Sequence, residues 1–323
     1  MPERLPFHLA LVRLSSLSIL PRMPTTYLGE TCALAAAFTW ATALVLFKRS
    51  GEHVPPLTLN LFKNYVAIFL LSATLLPMWL LQSPDPSDGP LSWGDHLLLL
   101  ISGALGITLA DTMLLYALNL VGVGLVTVAE CTYSPLVFLF AFLMHAEPIT
   151  RTDLIGGGLV LSGVFLSSTH KPPANRTRGQ ILLGSGLAVA AIALVSFAIL
   201  LAKPVLVHTS LLSATLVRLL GGTVLLTLFL LASPNRRQHF AVFKPSRTWW
   251  TTVPAAVTGT YLSMVFWIGG FKWAKASVAA ILNQSSTIIA LILASVILKE
   301  SFTRRKVVAA VLAITGVVVV ARG

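Results

Sequence analysis

Charge is what this sequence has least of. Asp, Glu, Lys and Arg make up 11% of the 323 residues and hydrophobic side chains 56%, too little polar surface to solvate a globule of this size. A water-soluble fold is thereby excluded, and the chain belongs in a bilayer. Cysteine is nearly absent. Cys32 and Cys131 stand alone in apolar runs, at no metal-ligand or redox spacing, and read as small packing residues. The seven histidines, at 8, 53, 96, 145, 170, 208 and 239, include no pair at the three- or four-residue spacing of a helical metal site, and no phosphate-binding glycine loop occurs. No metal, no cofactor and no catalytic group is expected, and the chain is not read as an enzyme. Acidic residues are outnumbered, 11 against 23 basic ones. The basic excess gathers near helix ends, where long side chains reach lipid headgroups, so membrane lipid rather than nucleic acid is the expected partner.

What the sequence does have is long apolar runs, each near the ~20 residues that cross a bilayer as a helix. Ten are legible, at about 27–47, 57–81, 96–118, 122–144, 152–169, 179–202, 211–232, 249–271, 277–298 and 304–321. Lipid cannot hydrogen-bond exposed backbone groups, so runs without strict alternation are helices rather than barrel strands. Residues 1–26 form a leader whose weak apolar character is broken by Arg4, Arg13 and Arg22. It lacks a signal-peptide core, and Met23 directly precedes the first run, so the leader is read as the product of an upstream start site and not necessarily native.

The stretch "HAEPITR" at 145–151 returns as "LKESFTR" at 298–304, matching Glu147, Thr150 and Arg151 with Glu300, Thr303 and Arg304. An offset of 155 lays Lys48 on Lys203 and Lys63 on Arg218; beyond the acidic loop the offset is 153 and pairs Gly106 with Gly259 and Gly163 with Gly316. Apolar matches arise by chance in membrane helices, but charged and glycine pairs at one nearly constant offset do not, and they indicate duplication. Each half, 27–170 and 171–323, then holds five spans. An odd number reverses the second copy, so the expected fold is an all-α integral membrane protein of ten transmembrane helices in two inverted five-helix repeats. The repeated Glu-x-x-Thr-Arg is a structural turn. Glu147 and Glu300 end a helix, Thr150 and Thr303 start the next, and Asp153 completes a capping box for Thr150.

The line "YSPLVFLFAFLMHAEPITRTDLIGGGLVLSGVF", its second copy "SSTIIALILASVILKESFTRRKVVAAVLAITGVVV", and Trp40 with Lys48 in the first span resemble the EamA family of the drug/metabolite transporter superfamily, over nearly all of 27–322. The resemblance implies a secondary transporter with a central cavity that moves a small-molecule substrate, an amino acid or a related metabolite or drug-like compound, by alternating access, often as an exporter. It also implies a multi-pass protein of the cell (plasma or inner) membrane, monomer or homodimer, with both termini in the cytoplasm. The distribution of Lys and Arg opposes that orientation, because most basic loops would then lie outside.

Ionisable groups within a span are costly and usually face protein, water or cargo. Glu130, with Thr127 and Ser134 on the same helical face, and Asp111 are the candidates. The repeat mate of Glu130 is Asn283, followed by Gln284, so both halves present polar groups at one level and a shared axial cavity would accommodate them. A carboxyl there can take a proton on one side and release it on the other, which would couple transport to protons; the alternative is a structural ion pair with Lys63 or Arg218. Those two cations are themselves expected to snorkel to headgroups. Among Trp40, Tyr116, Tyr133, Tyr261 and Trp267, the nearness of Tyr133 to Glu130 favours it, and Trp40 is the second candidate, for stacking on an organic substrate. A channel or a lipid flippase stands as the alternative function.

Overall fold

The computed structural model describes residues 27–80, 91–130, 132–167 and 177–289, with scattered positions from 293 to 319. The leader 1–26, Cys131, Glu300 and Thr303, and the side chains of Lys48 and Thr127, lie outside the described residues. Among the described residues all regular structure is helical. In chain order the helices are α1 (Leu28–Gly51), α2 (Pro56–Leu80), α3 (Trp93–Gly103), a π-helical segment (Ala104–Ala110), α4 (Asp111–Glu130), α5 (Tyr133–His145), α6 (Arg151–Ser167), α7 (Arg178–Leu206), α8 (Leu211–Leu231), the short α9 (Arg236–Phe240), α10 (Trp249–Ala256), a second π-helical segment (Val257–Leu262), α11 (Ser263–Trp273) and α12 (Ala276–Gln284). Among the described residues, six helical stretches are long and apolar enough to cross a membrane: Leu28–Gly51, Pro56–Pro77, Trp93–Val121, Arg178–Leu206, Leu211–Leu231 and Trp249–Trp273.

Helix starts are chemically marked. Ser92 accepts from Asp95 N while Asp95 accepts from Ser92 N, and Thr177 and Gln180 make the same reciprocal pair. At the head of α6, Thr150 N donates to Asp153 Oδ2 at 3.0 Å and Asp153 N to Thr150 Oγ1 at 3.1 Å. The end of α5 is a left-handed cap on Ala146, φ 50°, where Glu147 N donates to Ala141 O.

The third candidate membrane span ends at Val121, within the boundary at 118–122 expected between the third and fourth spans, although helical hydrogen bonding continues beyond it. That bonding persists to Glu130 and breaks at Thr132, three residues before Pro135, whose ring and missing N–H oppose an uninterrupted helix. Asp111 and Glu130 nonetheless border one cavity, whereas 19 residues of straight helix would part them by about 28 Å. The chain axis therefore turns back between them.

The halves interlock. α1 lies along α10, α11 and α12, while α7 lies along α4 and α5. The first span thus packs on the eighth, and the sixth on the third. The largest buried cluster joins Leu99, Val137, Ile199, Phe271 and Ala279 from both halves, which places the core at their junction. α3 and α8 cross backbone to backbone: a Cβ on Gly103 would overlap the Arg218 carbonyl, and one on Gly222 would stand 2.8 Å from Gly103 O. Thr108 Oγ1 closes this crossing on Gly222 O at 2.5 Å.

Ala146 is the one non-glycine residue at positive φ among the described residues, a conformation that costs an L-residue about 1 kcal/mol relative to glycine. Ala146→Gly should raise thermal unfolding in detergent by an amount equivalent to about 1 kcal/mol. An unchanged or lowered midpoint would show that the cap is not strained.

Candidate functional site

Two pairs of backbone irregularities coincide with the 153-residue offset. The π-helical segments at Ala104–Ala110 and Val257–Leu262 occupy equivalent positions in the two halves. Breaks in the equivalent helices fall at Thr132 and Ser285. Thr132 donates through N at 2.9 Å and Oγ1 at 2.7 Å to Ala129 O, and Ser285 through N at 3.1 Å and Oγ at 2.6 Å to Leu282 O. The second copy has Ile288 where the first has Pro135, so what the two breaks share is a hydroxyl and an N–H donating together to the carbonyl three residues back. Irregular backbone at membrane depth survives where it lines a cavity or is sealed by protein, and these four features surround one.

The cavity has a volume of about 140 Å³, close to that of engineered protein cavities that admit benzene. The first half contributes Trp40, Lys63, Gly106, Asp111, Glu130 and Tyr133. The second half contributes Arg218, Gly259, Met264, Trp267, Asn283 and Gln284. Ile192 and Val195 of α7 supply apolar wall.

Asp111, at the start of α4, is held by Lys63 Nζ at 2.6 Å. Lys63 also donates to Asn64 Oδ1 at 3.1 Å, Asn64 Nδ2 to Asn60 Oδ1 at 3.2 Å, and Asn60 Nδ2 to Ile107 O at 3.0 Å and Thr112 Oγ1 at 2.9 Å. This chain satisfies a carbonyl within the π-helical segment and ties α2 to it. Tyr133 is 7% exposed, and its hydroxyl accepts from Trp267 Nε1 at 2.9 Å. The Arg218 guanidinium lies 5.5 Å from the centroid of the Trp267 ring, a cation–π contact across the second half. Gln284 Nε2 donates to the backbone oxygen of Glu130 at 2.6 Å.

Most of the sequence candidates are gathered here: Glu130, Asp111, Asn283, Gln284, Tyr133 and Trp40 all line the cavity. The ion pair weighed for the acids forms at Asp111 with Lys63. Glu130 makes none among the described residues and, like Tyr133, lies buried at the wall. Ser134 turns from the cavity to Ala280 O at 3.3 Å. Tyr116 is 42% exposed and Tyr261 bonds Thr74 at 2.9 Å, so neither is a cavity residue. Glu147 pairs with Lys203 at 3.0 Å, fastening the Glu-x-x-Thr-Arg turn to α7, a partner the sequence did not indicate. The expectation that Lys63 and Arg218 snorkel to headgroups is corrected: they are 5% and 1% exposed and face the cavity. The signal in the sequence was their pairing at the 155-residue offset, since two equivalent cations at one depth suit a shared interior better than two separate lipid contacts.

A multi-pass helical membrane protein with a polar-studded cavity between two repeated halves has the build of a membrane transporter. The chain belongs to the EamA-like transporter family, whose profile matches it twice, over residues 27–169 and 182–322. It is 27% identical over 278 residues to the uncharacterized transporter YetK of Bacillus subtilis (strain 168), covering 85% of this chain and 81% of that protein. It is also similar in fold to a protein of solved crystal structure, with a TM-score of 0.72 at 16% identity, over 90% of this chain and 95% of the other.

Removing one partner of a buried ion pair strands the other charge, at a cost of about 3 kcal/mol. Asp111→Asn should therefore lower stability by about that amount, whereas Lys63→Met with Asp111→Leu should recover most of it. Equal losses in the single and double variants would show that the pair is not coupled.

Proposed function

We propose that this protein is a secondary carrier that moves a small organic solute, an amino acid or a related compound, across the cell membrane by alternating access. It acts as an exporter, and its central cavity is the substrate site. Ten helices in two inverted five-helix repeats give it two related halves that rock about that cavity. One observation carries the reading: the walls come from both halves at equivalent positions, with Gly106 and Gly259, Lys63 and Arg218, and Glu130 and Asn283 all bordering the same space. A site on the pseudosymmetry element is what such a cycle needs, because it can be exposed to either side without moving relative to the two halves.

Within the site Trp40 and Tyr133 provide flat apolar surface, and Asn283 and Gln284 provide amide dipoles. Glu130 is the proton-exchanging group, its carboxyl free of a cationic partner among the described residues. Asp111, held by Lys63, is the positioning acid and does not share that role. The protein works as a monomer or homodimer.

Flux into proteoliposomes, screened with amino acids, nucleosides, sugars and cationic drugs, tests the reading. The expected result is saturable uptake with trans-stimulation by internal substrate. An unsaturating, ohmic current would instead identify a channel, and head-group translocation without solute flux a flippase. Glu130→Gln should keep saturable exchange yet lose the response of flux to an imposed pH gradient. An unchanged pH response in that variant would remove Glu130 from coupling.

A further inference from the structure

The two halves present equivalent cations to the cavity but not equivalent acids. In the first half Lys63 is neutralised by Asp111 at 2.6 Å. In the second half the mate of Lys63 is Arg218, and the mate of Asp111 at the 153-residue offset is Met264, which also borders the cavity. The second copy therefore has the cation without the matching anion.

Arg218 is 1% exposed, and its Nε and Nη1 have no hydrogen-bond partner among the described residues. Asp111 acts on it through space, and one oxygen of that carboxylate, Oδ2, accepts from Lys63. A buried guanidinium with idle donors is expensive to keep, and no described residue accepts from Nε or Nη1. One face of its plane rests against the Trp267 ring. That ring is held in turn by its bond to Tyr133, so the guanidinium is oriented before any ligand arrives.

We propose that Arg218 is a carboxylate seat: the substrate's carboxylate takes the place of the missing acid beside Met264 and receives parallel N–H bonds from the guanidinium. The remainder of the solute lies against Trp267, Ile192 and Val195. This deepens the carrier reading and rests on the cavity being the substrate site. A simple organic monocarboxylate and a zwitterionic amino acid share the required group. In the second case Glu130, in the opposite half, faces the ammonium.

The test uses the full chain in nanodiscs and four probes of similar size: phenylacetate, phenylacetamide, phenethylamine and phenylalanine. Binding is read by calorimetry and by thermal shift. Phenylacetate and phenylalanine should bind at least about tenfold more tightly than the amide and the amine. A preference for phenylalanine over phenylacetate would place the amino group on Glu130, and equal binding would identify a plain carboxylate site; both keep the seat. Arg218→Met should retain or raise the unliganded melting temperature, since it removes a charge the protein does not pair, while abolishing the carboxylate preference. A merely structural arginine would instead cost stability. Met264→Asp, which supplies the matching acid, should weaken carboxylate binding at least about tenfold without unfolding the protein. The proposal is overturned if neither carboxylate binds, if amide and carboxylate bind alike, or if either variant leaves carboxylate binding intact. Carboxylate binding without flux would sink the carrier reading alone, and flux that ignores the carboxylate would sink the seat alone.

Discussion

A bilayer interior offers no water to a backbone amide, and the rest of this structure follows from that constraint. Every N–H and C=O at membrane depth must find its partner within the protein. Long unbroken helices satisfy this by themselves, and α1 and α8 do so; α7 carries Pro204, which has no N–H for Leu200 O, and His145 Nε2 reaches that carbonyl instead at 2.7 Å. The departures from regular helix are therefore informative, because each needs a local substitute for a lost bond. Asn60 supplies it at Ile107 O. The hydroxyls of Thr132 and Ser285 occupy the carbonyls of Ala129 and Leu282. These substitutes collect around the single space to which both halves contribute polar groups, so the cost of irregular backbone falls where a solute would need room.

Charge is arranged by the same logic. Lys63 and Asp111 neutralise each other inside the protein, and the Asn64–Asn60 chain spends the remaining donors on backbone. Glu147 and Lys203 do so between the α5–α6 turn and α7. Glu130 and Arg218 are different, since both are buried at the cavity without an ion-pair partner among the described residues. Under the proposed reading, these two groups at the shared cavity are the ones a solute and a proton would meet.

Duplication gives this disposition its asymmetry. Where the copies agree, as at the π-helical segments and the hydroxyl breaks, the shared requirement is architectural. Where they diverge, Glu130 against Asn283 and Asp111 against Met264, the two walls of one cavity acquire different chemistry. Such divergence lets two related halves form a site with distinct ends.

The sequence by itself determined the helical, membrane-embedded class, because apolar runs and scarce charge leave no other solvent for the chain. It also placed the repeat, through charged and glycine pairs at a constant offset, and most of the cavity residues, since polar groups within apolar runs are costly enough to be conspicuous. It misjudged Lys63 and Arg218, because a long basic side chain near a helix end reads the same whether it bends toward headgroups or toward the core. Only the fold brought α2, α4 and α8 close enough to decide that. The Lys203 partner of Glu147 and the seating of Arg218 against the Trp267 ring were likewise tertiary results. Each depends on distances between segments far apart in the chain, and local pattern carries no record of those distances.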